Sequence, residues 1–197
     1  MIKGRDVRQS EYAIDPLFLD RWSPRSLSGE EISEQELRTL LAAASWAPSS
    51  FNAQPWRMLY ARRATAQWPL FFNLLVENNK VWAQNAAALI VFVSKLTNDV
   101  SKQPSVTHSY DTGAAWGYFA LQAHLKGYVA HGMQGFDYER ARRELQIPQD
   151  FAVEAMAVVG RPGPKEALPA HLQERERPNS RRPLSETVCE GVWSLAG

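Results

Sequence analysis

Two prolines, Pro48 and Pro55, constrain this chain more than any other feature. They sit in the run Trp46-Ala47-Pro48-Ser49-Ser50-Phe51-Asn52-Ala53-Gln54-Pro55-Trp56-Arg57. Pro48 cannot continue a helix, and Pro55 drives Gln54 toward extended geometry. A periodic segment must therefore end before this run and an extended one must begin after it. Between the prolines lie two hydroxyls, Ser49 and Ser50, and two carboxamides, Asn52 and Gln54. Such a loop offers neutral donors and acceptors to a flat polar ligand. The same residues also suit an ordinary helix-to-strand connection.

The flanking patterns agree with that reading. Asp15-Pro16 is expected to open a short helix, with Asp15 capping and Pro16 at the first helical position. Ser33-Glu34-Gln35-Glu36 reads as a capping box, and Leu37, Leu40, Leu41 and Ala44 follow at helical spacing. Residues 56–62 alternate as a strand. A helix is expected over 65–75 provided Pro69 lies in its first turn, with Asn78-Asn79-Lys80 breaking the pattern. Residues 86–94 are apolar and read as a buried strand. The polar stretch 96–108 reads as a loop and candidate lid.

Residues 109–126 form the clearest long helix, with Trp116, Phe119, Ala120 and Ala123 near one face and Gly127 ending it. Gly113, Ala114, Ala115, Gly117 and Ala120 are small enough to admit another helix, either in the core or across a dimer. A short strand is expected over 128–133. Gly132 and Gly135 are then expected to use backbone conformations closed to other residues. Asp137 caps a helix running through Leu145, Pro148 lies beyond its end, and 151–160 is a last strand. The remainder, 161–197, is an extended tail in which Glu174-Arg175-Glu176-Arg177 reads as solvated. Helices flanking a few strands imply an α+β fold and a single domain, 1–197.

Composition narrows the function. A net charge of +1 argues against a general polyanion binder, so no nucleic-acid partner is expected. The lone Cys189 and four histidines without ligand spacing give no metal site. No apolar run is long enough to cross a bilayer and no signal core precedes the fold, so a cytoplasmic protein with no membrane partner is expected. Seven tryptophans call for large partners, which a dimer interface or a flat-ligand pocket would supply. Arg21 and Arg25 flank Ser23, a pairing that suits a phosphate monoester because guanidinium forks bind its oxygens bidentately. No Gly-x-Gly-x-x-Gly run supports a Rossmann site. No triad or carboxylate pair is present, and no catalytic side chain is named.

Four runs in order carry a resemblance: Arg21-Trp22-Ser23-Pro24-Arg25-Ser26-Leu27, the Pro48–Trp56 run, Gly135-Phe136-Asp137 with Leu145-Gln146-Ile147-Pro148, and Arg182-Pro183-Leu184-Ser185-Glu186. Together they resemble the nitroreductase family. The resemblance implies a small mixed central sheet flanked by helices, an intertwined homodimer, and non-covalent flavin mononucleotide (FMN) at the dimer interface. It implies phosphate and ribityl contacts from Arg21, Ser23 and Arg25, joined by Arg181 and Arg182. Trp22 stands where the family often has Arg or His, and can pack below the ribityl chain. Pro48, Ser49, Ser50 and Asn52 match the flavin loop contributed by the partner subunit. Met133, Gln134 and Gly135 match the turn beside flavin N5, and Lys80 is a candidate for the pyrimidine edge. The implied activity is ping-pong reduction of a small, flat, electron-poor aromatic acceptor, of nitroaromatic or quinone type, with NADH or NADPH as donor. A flavin-binding protein for storage, sensing or regulation is the alternative.

Overall fold

The computed structural model describes residues 3–99 and 101–195. In chain order the helices are α1 (Pro16–Asp20), α2 (Glu34–Ala44), α3 (Trp68–Phe72), α4 (Glu77–Ala83), α5 (His108–Leu125), α6 (Tyr138–Glu144) and α7 (Ala170–Gln173). The strands are β1 (Trp56–Arg62), β2 (Ala88–Lys95), β3 (Val129–Met133) and β4 (Phe151–Gly160). Everything is built on β2, which is buried at every position except its last. Its apolar, partly β-branched run can be covered on both faces, as a central strand must be. The sheet order is β1-β2-β4-β3. All three pairings are antiparallel. Among the described residues the sheet is thus antiparallel throughout, without the mixed character implied by the resemblance. That character would require a further, parallel strand at the β1 or β3 edge.

Strand alternation divides the core in two. Leu89, Val91 and Val93 of β2, with Met156 and Val158 of β4, join Phe71, Leu74, Trp82 and Ala141 on one face. Ala88, Ile90 and Phe92, with Ala157 and Val159, join Leu37, Leu40, Ala115, Phe119 and Ala123 on the other. Helices α3, α4 and α6 therefore cover the first face, and α2 and α5 the second.

The local signals act where the residue types place them. Asp15 accepts from Leu17 N, Ser33 and Glu36 form both halves of the capping box, and Asp137 accepts from Arg140 N. Gly127, at φ 73°, takes the left-handed turn after α5. Only part of 65–75 is helical. Helix α3 is confined to Trp68–Phe72, with Pro69 in its first turn. The break expected at Asn78-Asn79-Lys80 is instead inside α4. Tertiary packing overrides local preference there: Trp82 and Ala83 are buried, and Asn79 Nδ2 donates to Gly135 O at 3.0 Å.

Gly132 and Gly135 also differ from expectation. Neither has a positive φ. Space is the reason for both: a Cβ on Gly132 would lie 3.2 Å from the Trp116 ring, and one on Gly135 2.6 Å from Asn79 Nδ2. The tail does not simply extend away. Pro162 bridges to Leu27, and Leu168 and Leu172 are buried in the first core cluster. Farther on, Val188, Val192 and Trp193 are exposed.

Candidate functional site

The segment that leaves α1 and the chain that follows α7 form two walls of one cleft. Arg21 caps α1 in extended geometry, so the chain runs outward through Trp22, Ser23, Pro24 and Arg25 instead of continuing the helix. Opposite, a tight turn centred on Glu176 closes with Arg177 N donating to Arg175 O at 3.0 Å. The turn points Glu176 inward. Its carboxylate, buried with its residue only 7% exposed, accepts from Arg25 N at 2.8 and 3.0 Å and from Ser26 N at 2.7 Å. This contact fixes the tail to the arginine segment. The solvated reading of 174–177 holds for Glu174, Arg175 and Arg177, which are exposed at the cleft, and is corrected only at Glu176, which is buried beneath it.

The cavity has a volume of about 570 Å³. Six arginines line it: Arg8, Arg21, Arg25, Arg175, Arg177 and Arg181. Among the described residues, none of these guanidiniums has a carboxylate oxygen within salt-bridge distance. Arg8 is buried and donates to main-chain carbonyls of Leu19, Arg21 and Asn179, so it holds the walls together. Arg21 Nη1 donates to Ser23 Oγ over a long 3.4 Å. Burial and then the Arg181 charge lower the proton affinity of Arg21. Burial and then Arg175 lower that of Arg25, against the opposing Glu176 charge. Partly desolvated like charges without counter-ions are costly unless an anion joins them. The donor set fits a phosphate group, which would accept from guanidinium forks.

The floor is aromatic. Trp22 is buried, Arg25 lies over the Trp82 ring at 5.9 Å, and His131 packs on the same ring with centroids 4.8 Å apart. His131 Nδ1 donates to Pro24 O at 3.1 Å, which sets its tautomer. Burial pushes its pKa down to about 4. The Pro24 bond opposes that shift, and the Arg25 and Arg21 charges add to it. The neutral ring is therefore favoured in the folded state. A depressed histidine pKa contributes stability that is full above the ordinary value near 6.5 and is lost as pH falls toward 4. His131→Gln, which keeps a donor but does not titrate, is expected to flatten the decline in urea midpoint across that window. Identical slopes for parent and variant would exclude His131 as its source.

The structure brings Arg21, Trp22, Ser23, Arg25 and Arg181 together at this cleft. It separates the two tail arginines: Arg181 lines the cavity, whereas Arg182 pairs with Glu186 at 3.8 Å. The Pro48–Asn52 loop is not among the lining residues. It packs at the start of α5, where Asp111 accepts from Ser50 N at 3.2 Å. Ser49 Oγ accepts from Gln54 N at 3.0 Å, so Gln54 orders the loop. Phe51, Asn52 and Gln54 have positive φ, and Phe51 is 97% exposed. Strained non-glycine backbone carrying a bare aromatic ring is a feature that folding alone does not require. Met133 is buried in the core, Gln134 is exposed, and Gly135 accepts from Val76 N and Asn79. Lys80 pairs with Glu77 at 2.7 Å on α4, outside the arginine cleft.

Sequence reading missed Arg8, Arg175, Arg177 and Asn179. Arg8 lies in a patternless stretch and carries no signal. Around Glu176 the alternation of charge was the available clue, since one buried carboxylate between two outward arginines has that pattern.

The nitroreductase family model matches residues 19–67, the stretch from the first cleft wall through the Pro48 loop to β1. A crystal structure of an oxidoreductase containing FMN is 48% identical, covers 96% of this chain and 97% of its own, and superposes with a TM-score of 0.92. An NADH dehydrogenase of Thermus thermophilus is 26% identical over 190 residues, spanning 81% of this chain and 91% of the relative. A nitroreductase family protein from Streptococcus pneumoniae, 17% identical and covering 89% of this chain and 98% of its own, shares the fold with a TM-score of 0.70. Near-complete coverage in both directions, with the matched motif forming one wall of the arginine cleft, leads to one conclusion: the chain belongs to the nitroreductase family of oxidoreductases.

Proposed function

We propose that this protein binds FMN non-covalently and uses NADH or NADPH to reduce a flat, electron-poor acceptor of nitroaromatic or quinone type, donor and acceptor occupying the site in turn. The observation that carries the reading is the set of arginines without carboxylate partners on the Arg21–Arg25 wall, in a chain 48% identical to an FMN-containing oxidoreductase. In this reading Arg21, Ser23, Arg25 and Arg181 hold the phosphate, and Trp22 packs under the ribityl chain. Met133, Gln134 and Gly135 border the ring, with Lys80 at its pyrimidine edge. Bound FMN supplies the hydride chemistry, while the chain's own groups bind it, orient it and exclude water.

Pro48, Ser49, Ser50 and Asn52 complete the site from a second copy of the chain. Three features support that assignment. The loop is absent from the cleft of its own chain, and the rings of its Phe51 and of the preceding Trp46 are exposed. The outer side of α5 is also open at Gly113 and Gly117, beside exposed Tyr110 and Tyr118. No helix among the described residues is long and apolar enough to cross a membrane.

The test is the absorption spectrum of the purified protein, followed by anaerobic addition of each nicotinamide donor. A yellow chromophore that bleaches with at least one donor is expected. A colourless protein that takes up no added FMN would remove the flavin reading. A yellow protein that neither donor bleaches would leave binding without turnover.

A further inference from the structure

The arginine cleft holds more positive charge than one phosphate can neutralise. A phosphate monoester brings at most about two negative charges. Six arginines line the cavity, Glu174 is its one acidic lining residue, and Glu176 is committed to the main-chain N–H groups of Arg25 and Ser26. The surplus is also grouped. Arg181 lines the same cavity as Arg21, and Arg175 the same cavity as Arg25, and each like charge lowers the proton affinity of its neighbour. Arg175 and Arg177 flank one tight turn, and neither has a carboxylate or carbonyl partner for its guanidinium among the described residues. The motif that places the first phosphate at Arg21, Ser23 and Arg25 leaves both of them unused.

Resting on the function proposed above, we propose that Arg175 and Arg177 form a second phosphate-binding position beside the first. A phosphate monoester is the chemistry that fits, and the 2′-phosphate of NADPH is the source to which we commit. The protein then prefers NADPH to NADH because only NADPH carries that group. Charge-assisted hydrogen bonds to a second monoester are lost entirely with the unphosphorylated nucleotide.

The experiment titrates the yellow holoprotein with NADP+, NAD+ and inorganic phosphate, followed by tryptophan fluorescence and by calorimetry. NADP+ is expected to bind about tenfold or more tighter than NAD+ at low salt. The gap should narrow as ionic strength rises. An Arg175→Gln, Arg177→Gln double substitution is expected to remove the difference between the two nucleotides. Equal affinities of the parent protein for NADP+ and NAD+ overturn the proposal, and so does a preference that survives the double substitution. Inorganic phosphate that abolishes the preference at matched concentration assigns the position to free phosphate and overturns the NADPH assignment. The salt dependence of the parent protein decides the matter should the double variant fail to fold. A protein with no chromophore refutes the flavin reading itself, whereas equal nucleotide affinities on yellow protein refute only this inference.

Discussion

An Arg21→Ala variant is expected to hold FMN with a dissociation constant about tenfold to a hundredfold higher than the parent protein. The size follows from the setting of the side chain. Arg21 is partly buried, has no carboxylate partner among the described residues, and shares the cleft with Arg181. Its fork is thus partly desolvated and poised for an anion, so a lost charge-assisted bond is felt at about 1.5–3 kcal/mol. The same setting predicts opposite signs in the two states. Without ligand, the alanine variant is relieved of repulsion from Arg181 and should unfold at no lower urea concentration than the parent. With FMN present, the ligand-linked gain in stability should shrink. Arg21→Lys should fall between, because a point charge replaces a bidentate fork.

Arg182→Ala serves as the contrast, since Arg182 is exposed and pairs with Glu186. Its effect on flavin retention should be small, as for other surface pairs. Fluorescence titration with FMN measures all of these variants. Equal losses at Arg21 and Arg182 would dissolve the distinction drawn between cleft and surface.

Glu176→Ala is expected to cause the largest loss of stability. Glu176 is a buried carboxylate that satisfies the N–H groups of Arg25 and Ser26, and its removal leaves those donors facing a void. Each donor left unsatisfied costs about 1–3 kcal/mol. For a chain of this length the expected fall in melting temperature is on the order of 5–10 °C. Glu176→Gln retains one carbonyl oxygen and should recover part of that loss. It should not restore the charge that offsets Arg25. Because Glu176 ties the tail to the Arg21–Arg25 wall, the alanine variant should also release FMN faster. Thermal unfolding with and without FMN separates the two effects. A melting temperature within about 1 °C of the parent would mean that water replaces the carboxylate at no cost and that the wall needs no such anchor.

Much of the local structure was legible in the residues because its causes are local. Asp15, Ser33 with Glu36, and Asp137 cap helices through side chains that reach only two or three residues along the chain. The apolar run of β2 announces a buried strand regardless of its neighbours. Helix α4 was not legible, because it is held by Trp82 in the core and by a bond from Asn79 to Gly135. The glycines misled for the same reason: at Gly132 and Gly135 the constraint is a distant side chain, not a backbone angle.

By itself the sequence determined the identity of the first wall, since two arginines around a serine form a local motif, and it determined the proline-bounded loop. Only the folded chain decided which arginines share that wall's field. Arg181 joins it and Arg182 does not, although they are adjacent. Arg8, Arg175 and Arg177 arrive from opposite ends of the chain through hydrogen bonds made at Asn179 and Glu176. Covalent order carries short-range hydrogen bonding and periodicity, whereas charge accumulation depends on distances through space that are set by packing.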